Sequence, residues 1–154
     1  MKILLVYYSW TGNTRKLAQK ITSKLKCDVE EIYEAGRRRG KLGFMIGGFQ
    51  ASLGMKSKIE KPKKSPADYD FVIIGGPVWA DRISPAMRSY LSQCGKIGEY
   101  AIFMTKGGGD HTKALKNVEE IIGRGPASSL VVKEKDIAGA DIRGFLDKIM
   151  AKSP

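Results

Sequence analysis

A chain of 154 residues is long enough for one domain, which buries about two-thirds of its unfolded surface without disulfide support. Hydrophobic residues make up 42% and charged residues 28%, an ordinary globular balance, and the longest apolar runs are far shorter than the ~20 residues of a membrane span. We therefore predict a single domain over residues 1–154 with no membrane span.

The two cysteines, Cys27 and Cys94, indicate a reducing compartment. They stand far apart, and no group of Cys and His residues has the spacing of metal ligands. The apolar start of the chain is too short for a signal peptide, and polar residues follow it at once. We expect a cytoplasmic protein with free thiols and no metal site.

The formal net charge of +11 is concentrated in one segment. Residues 34–64 hold nine Lys and Arg residues against two Glu residues, a net charge of +7, which leaves +4 for the rest of the chain. The basic side chains are those of Arg37, Arg38, Arg39, Lys41, Lys56, Lys58, Lys61, Lys63 and Lys64. Any function of the excess charge therefore belongs to this segment.

Segments with the patterns of strands and of helices alternate along the chain. Strands are predicted at 2–8, 28–33, 70–74, 100–104 and 129–132. Helices are predicted at 14–25, from Ser84 and Pro85 onward, at 111–122 and at 141–150. This alternation predicts a parallel sheet with helices on both faces, joined by right-handed crossovers. Ligands of such sheets bind beyond the carboxyl ends of the strands, so the loops after the three most apolar strands are the candidate binding loops.

The first of these loops indicates a phosphate site. It reads Ser9-Trp10-Thr11-Gly12-Asn13-Thr14 and precedes a helix, whose start presents unpaired N–H groups and a partial positive charge. Gly12 permits a tight turn, and three hydroxyls add donors. The alternative is plain capping of the helix by Asn13 or Thr14, for which one residue suffices.

The pattern Ser-x-Thr-Gly-x-Thr directly after a first strand resembles the phosphate loop of flavodoxins, which bind flavin mononucleotide (FMN). The resemblance implies a flavodoxin-like α/β fold in three layers, with a doubly wound, five-stranded parallel sheet of order 2-1-3-4-5. It implies that Ser9, Thr11, Asn13 and Thr14 hold the FMN phosphate, together with backbone N–H groups of residues 10–14. It covers nearly the whole chain outside residues 34–64, and the uninterrupted final strand matches the short-chain variety.

The second loop indicates a site for a flat ring. It reads Gly75-Gly76-Pro77-Val78-Trp79-Ala80, in which Pro77 stiffens the turn and Trp79 offers an indole for stacking, worth ~1–3 kcal/mol. The alternative places Trp79 in the core or against a partner. Gly-x-Pro-x-Trp followed by Ser84-Pro85 resembles the ring-binding loop of flavodoxin-like proteins, which implies FMN contacts from Pro77, Val78, Trp79 and Ala80.

The third loop lets the backbone pass close to a ligand. It reads Thr105-Lys106-Gly107-Gly108-Gly109-Asp110, and its N–H groups suit the polar edge of a ring. A flexible turn is the alternative. Its position resembles the second ring-contact loop of flavodoxins, but it lacks the tyrosine that is usual there. The missing aromatic residue predicts one open ring face, which Asp110 and His111 approach unless His111 is a plain surface residue.

Residues 34–64 are predicted to be an insertion in this fold. Leu42, Met45, Ile46, Phe49 and Leu53 form a stripe at helical spacing between the two basic runs. Three interpretations stay open. The segment is a lid packed on its own domain, a subunit interface of a homodimer, or a contact for an acidic protein, an anionic lipid or a nucleic acid. Nucleic acid is the least favoured of these, because few aromatic residues accompany the basic ones.

These features together predict an FMN-binding electron carrier without a catalytic amino-acid residue. An FMN-dependent NAD(P)H:quinone or related reductase is the first alternative, and a non-redox interaction domain of the same fold is the second. The electron donor or acceptor is a redox protein or a small molecule. Typical flavodoxins are acidic, so the reversed charge of this chain predicts an acidic partner. Other nucleotide motifs are absent, since no Gly-x-Gly-x-x-Gly follows the first strand.

Overall fold

The computed structural model describes residues 1–36 and 40–152. Arg37, Arg38 and Arg39 of the predicted basic segment lie outside the described residues. The strands are β1 (Ile3–Tyr8), β2 (Asp28–Ile32), β3 (Phe71–Trp79), β4 (Arg82–Ile83), β5 (Glu99–Lys106) and β6 (Ser128–Lys133). The helices are α1 (Asn13–Thr22), α2 (Gly40–Ser52), α3 (Pro85–Gln93), α4 (Thr112–Ile122) and α5 (Arg143–Met150). Among the described residues, no helix is both long and apolar enough to cross a bilayer.

Five strands form one parallel sheet in the order β2-β1-β3-β5-β6. This confirms the predicted doubly wound α/β fold. The order equals the predicted 2-1-3-4-5, because the short β4, which was not predicted, raises the labels of the last two strands by one. β4 pairs antiparallel with the end of β3, so that Val78 lies opposite Ile83 and Trp79 opposite Arg82. Ala80 and Asp81 make the turn with φ values of 48° and 60°. Such positive angles suit a tight two-residue hairpin turn, although alanine rarely adopts them.

The sheet separates two apolar layers. The layer that carries α3 and α4 contains Met87, Tyr90 and Val118, and the layer that carries α1 and α5 contains Leu17 and Phe145. Both faces of the central strands are covered, which explains their continuous apolar runs.

The predicted boundaries of α1, α4 and α5 differ from the observed ones by one to three residues; α1 begins one residue earlier and α5 two residues later than predicted. α1 ends at Thr22 instead of residue 25, because Thr22 Oγ1 donates to Gln19 O (3.1 Å) and Ser23 Oγ donates to Lys20 O (2.8 Å). α3 begins as predicted, since Ser84 Oγ accepts the Met87 N–H (3.3 Å) ahead of Pro85. α4 begins at Thr112, one residue later than predicted.

Both glycine-rich loops begin later than predicted, because their strands are longer. β3 continues through Pro77, Val78 and Trp79. Pro77 still pairs with β5, and Val78 and Trp79 pair with β4. β5 continues to Lys106, which puts Thr105 in the sheet. Gly75 is required within β3, since a Cβ atom there would lie 2.0 Å from Cζ of Phe103 on the neighbouring strand.

Candidate functional site

A cavity of about 180 Å³ lies at the carboxyl edge of the parallel sheet, where β1, β3 and β5 end. Residues from all three predicted binding loops line it. They are Trp10, Thr11, Asn13, Thr14, Pro77, Val78, Trp79, Thr105 and Gly107, joined by Glu134. Hollows of about 420 and 360 Å³ lie elsewhere, but neither borders these loops. The cavity at the strand ends is therefore the candidate site, since it combines the expected position with the predicted residues.

The start of α1 provides donors for an anion. Gly12 precedes the helix with φ at 97°, in the left-handed region that favours glycine. The first N–H groups of a helix have no acceptor within the helix. Ser9 Oγ accepts the N–H of Arg15 (3.2 Å), and Gly12 O accepts that of Lys16 (3.0 Å). The N–H groups of Asn13 and Thr14 precede these in the first turn, where a helix provides no acceptor of its own.

The start of α1 is not capped by Asn13 or Thr14, the alternative considered for this loop. Asn13 Nδ2 donates to Thr11 Oγ1 (3.3 Å), and the hydroxyl of Ser9 takes the capping role instead. Ser9 thus stabilises the loop by its bond to the Arg15 N–H and does not line the cavity.

The Thr14 and Thr105 hydroxyls join the first loop to β5. Their oxygens lie 2.8 Å apart, and either one is able to donate. Both residues are buried, with 2% and 1% of their surface exposed, so each hydroxyl satisfies the other. This bond holds the start of α1 over the end of β5 and forms one wall of the cavity.

The positive charge of Arg15, just after this loop, is already paired. Arg15 Nη2 lies 2.5 Å from Glu31 Oε1, and Arg15 Nε donates to Glu31 Oε2 (3.2 Å). Tyr7 also donates its hydroxyl to Glu31 Oε2 (2.9 Å). Burial, followed by the hydrogen bond to this carboxylate, raises the pKa of Tyr7 to about 12. The donors that residues 9–14 offer to the cavity are therefore neutral groups.

Trp79 is held in place from several sides. Its ring makes edge contacts with Tyr8 and Trp10, each with a distance of 5.9 Å between ring centroids. Gly47 of α2 lies so close that a Cβ atom there would be 2.5 Å from Trp79 Cζ3. Only 5% of Trp79 is exposed. It is thus both a packed residue and a wall of the cavity, so the two interpretations of its role are compatible.

The third loop lies mainly outside the cavity. Lys106 donates from Nζ to Gly109 O (2.9 Å) and lies 3.0 Å from His111 Nδ1. Asp110 caps α4 by accepting the N–H groups of His111 (2.7 Å) and Thr112 (3.2 Å). Hydrogen bonds from Thr112 and His111 lower the pKa of Asp110. Of this loop and β5, Thr105 and Gly107 line the cavity.

The structure thus brings most, but not all, of the predicted residues together. Those that do not line the cavity are Ser9, Gly12, Ala80, Lys106, Gly108, Gly109 and Asp110. Glu134 was missed, although it directly follows β6 and the rule of strand ends applies to that strand as well. Its Oε2 lies 4.0 Å from the position of a Cβ atom at Gly107.

The fold and this site define an α/β protein with a doubly wound parallel sheet, whose candidate site lies beyond the strand ends at the start of the first helix. The sequence matches the family model described as Flavodoxin over residues 2–142. The chain belongs to the flavodoxin family, which confirms the resemblance seen in the sequence. No curated protein matches the chain.

Three solved structures show the range of similarity. A flavoprotein from Lactobacillus acidophilus NCFM in complex with FMN shares 25% identity, with coverage of 90% of this chain and 97% of that one and a TM-score of 0.72. A Bacteroides uniformis protein described as a flavoprotein shares 19% identity over 98% of both chains, with a TM-score of 0.76. An apo NADH:FMN oxidoreductase shares 12% identity, with coverage of 97% of this chain and 84% of that one and a TM-score of 0.56.

Proposed function

We propose that this single-domain chain binds FMN in the cavity at the strand ends and uses it to transfer electrons. The observation that carries the proposal is the meeting of Thr11 and Thr14, Trp79 and Gly107, from three separate parts of the chain, around one cavity at the start of α1. Membership of the flavodoxin family and the FMN complex of the Lactobacillus relative support it.

The donor set fits a phosphate ester. The N–H groups of Asn13 and Thr14 and the hydroxyl of Thr11 lie together at the positive end of a helix of ten residues. Since Arg15 is engaged by Glu31, recognition depends on hydrogen bonds and the helix dipole. Such bonds to a charged group are each worth ~1.5–3 kcal/mol, so the phosphate contributes a large share of the affinity.

The apolar walls fit an aromatic ring system. Trp10, Pro77, Val78 and Trp79 line the same cavity as the phosphate donors. The enclosed volume of about 180 Å³ is below the ~300–1,000 Å³ of usual ligand pockets, so part of the ligand reaches toward solvent. Bound FMN supplies the one-electron and two-electron chemistry. The walls exclude water and disfavour negative charge at the ring, which shifts its reduction potential.

Intrinsic fluorescence provides a direct test of binding. The chain has two tryptophans, and both line the cavity. FMN binding should therefore quench nearly all tryptophan emission, and riboflavin, which lacks the phosphate, should bind at least about tenfold more weakly. Equal affinities would remove the phosphate site. A colourless protein that ignores added FMN would instead favour the non-redox interaction domain.

A pair of threonine variants on α1 and its loop sharpens this test. Thr11→Val should weaken FMN binding by about tenfold while leaving riboflavin binding nearly unchanged, since one hydrogen bond to phosphate is lost. Thr22→Val at the far end of α1 is the matched control, because its hydroxyl bonds only the backbone of its own helix. Similar losses for both ligands would place Thr11 away from the phosphate.

One observation favours reductase activity as the second candidate. Residues 107–110 are exposed and contain no aromatic side chain, which leaves one side of the site open to a substrate such as NAD(P)H. The likeness in fold to an NADH:FMN oxidoreductase is compatible with this candidate. Stopped-flow mixing of the FMN-loaded protein with NADPH or NADH distinguishes the two. Fast loss of flavin absorbance supports a reductase. Unchanged flavin absorbance supports a carrier that serves a protein partner in the cytoplasm.

A further inference from the structure

α2 packs on the domain through Gly47 and Ala51, whereas Leu42, Met45, Ile46 and Phe49 of this helix are exposed. Gly47 and Ala51 are buried against the domain, and Gly47 contacts Trp79. The five residues of the predicted stripe are exposed, by 69% at Leu42, 68% at Met45, 45% at Ile46, 65% at Phe49 and 60% at Leu53. The segment packs on its own domain, as the lid interpretation expects, but through Gly47 and Ala51, and the apolar stripe faces away from the domain.

This orientation reverses the usual pattern of a surface helix, whose apolar stripe faces the core. Positions 42, 45, 46 and 49 follow the spacing of one helix face, and Leu53, just after the helix, continues it because its N–H bonds Phe49 O (3.2 Å); the exposed side chains are therefore neighbours. Met55, just beyond the helix, is 43% exposed as well. A contiguous apolar surface of this kind marks an interaction site, whereas scattered exposed apolar residues do not.

The charge around the stripe is mainly positive, although Glu60 stands among the lysines that follow α2. No Asp or Glu occurs in the sequence between Glu34 and Glu60. Lys56, Lys58 and Lys61 follow α2 closely, and all three are exposed. The complementary partner is therefore anionic and apolar at once.

Two of the alternative occupants fit less well. A second copy of the chain would meet this surface with the same surface, because a two-fold interface is self-complementary, and the lysines of both copies would then repel each other. An acidic protein would be expected to bond polar groups within the interface, about one hydrogen bond per 100–200 Å². The stripe provides only apolar side chains, and the hydroxyl of Ser52 is directed to Phe49 O (2.7 Å).

We propose that α2 is an interfacial helix that binds membrane surfaces rich in anionic phospholipids. Its stripe inserts among the acyl chains, and the following lysines contact the headgroup phosphates. α2 has 13 residues, fewer than the ~20 of a spanning helix, so it lies parallel to the surface. Contact between Gly47 and Trp79 then places the cavity wall one helix away from the bilayer. The proposal is independent of which ligand fills the cavity.

Vesicle flotation of the purified protein tests the apolar part. The protein should float with vesicles of phosphatidylcholine containing about 30% phosphatidylglycerol, and much less with phosphatidylcholine alone. Phe49→Ser/Leu53→Ser should weaken binding by at least about tenfold, since two apolar side chains lose their burial. Met150→Ser is the matched control, because Met150 is 51% exposed on a different helix. The replaced side chains are exposed, so thermal unfolding of these variants should match the wild type.

The charge part has its own test. About 0.5 M NaCl should reduce flotation, because screening shortens the range of the attraction, and Lys56→Glu/Lys58→Glu should reduce it at low salt. Absence of binding, equal binding to neutral vesicles, or equal loss in the Met150→Ser control would overturn the proposal. A dimer in analytical ultracentrifugation that Phe49→Ser/Leu53→Ser dissociates, without vesicle binding, would overturn it in favour of a second copy.

Discussion

The cavity at the strand ends and the helix α2 meet at Trp79, yet they are built on opposite rules. Around the cavity, buried polar groups bond each other, as the hydroxyls of Thr14 and Thr105 do. In α2, Gly47 and Ala51 face the protein, whereas Leu42, Met45, Ile46 and Phe49 face outward. The first region is specified by its own internal contacts, whereas the outer face of the second is not.

This difference separates two kinds of sequence signal. A residue whose partners lie within the domain is explained by packing or by hydrogen bonding, and its replacement should lower stability. A residue whose partners lie outside should tolerate replacement and change only binding. Stability measurements on the two regions therefore test whether the division is real, and the largest effect is expected where the sheet supports the cavity.

The largest loss is expected for Gly75→Ala. A Cβ atom at Gly75 would lie 2.0 Å from Cζ and 2.3 Å from Cε1 of Phe103, a ring that is completely buried. Since the ring has no free space, the variant should lose about 3 kcal/mol of unfolding free energy or more, measured by urea denaturation.

Gly98→Ala is the control for that variant, because no atom lies within 4 Å of a Cβ at Gly98, just before β5. Its stability should change by less than about 1 kcal/mol. Adding Phe103→Leu to Gly75→Ala should recover part of the loss by making room. Two strictly additive losses would show that the ring is not the obstacle.

An intermediate loss is expected where the two threonine hydroxyls meet. Thr14→Val leaves Thr105 with a buried hydroxyl that has lost its partner, and should cost about 1–3 kcal/mol in urea denaturation. Thr105→Val should behave alike. The double variant should be less destabilised than the sum of the two, since no polar group then remains unsatisfied. Additive losses in this double-mutant cycle would contradict a direct bond.

A smaller effect, of opposite sign at adjacent residues, is expected in α2. Gly48→Ala should protect the helix amides from hydrogen exchange by up to about 1 kcal/mol, because nothing lies within 4 Å of the added atom. Gly47→Ala should reduce protection by about 1 kcal/mol, since its Cβ would meet Trp79 at 2.5 Å. Equal gains at both positions would mean that α2 does not rest on the indole.

The sequence predicted the cavity region better than it predicted α2. The hydroxyls and the glycine of residues 9–14 both shape the loop and line or adjoin the cavity. Because they directly follow an apolar strand, their position along the chain was enough to predict their place at the cavity. Glu134 was missed because its neighbours in space, such as Gly107, are distant in sequence. The turn at Ala80 gave no signal, since alanine seldom adopts a positive φ.

The orientation of α2 was not predictable from periodicity, because a stripe at helical spacing fits either direction. Its small residues at Gly47 and Ala51 share a face as the large ones do, and only the close approach of Trp79 decides which face packs inward. Apolar periodicity identifies a face that seeks a partner. It does not say whether that partner belongs to the same chain.

The smallest effect concerns the hydrogen bonds of Tyr7 and Arg15 to Glu31, beside the loop of residues 9–14, and appears only at high pH. In the folded protein the pKa of Tyr7 is raised from 10.0 to about 12, mainly by burial and then by its bond to Glu31. The folded state therefore keeps a proton that the unfolded state loses. The resulting stabilisation is complete below pH 10 and is lost as the pH rises through about 12.

Ultraviolet titration of tyrosinate, taken as the difference between wild type and Tyr7→Phe, should show this group titrating near the upper value. Glu31→Gln should move it back toward 10, because the carboxylate no longer opposes a second negative charge. A difference curve centred near 10 in the wild type would mean that the phenol of Tyr7 is exposed to water. The region around the cavity would then be more accessible to solvent than its hydrogen bonds indicate.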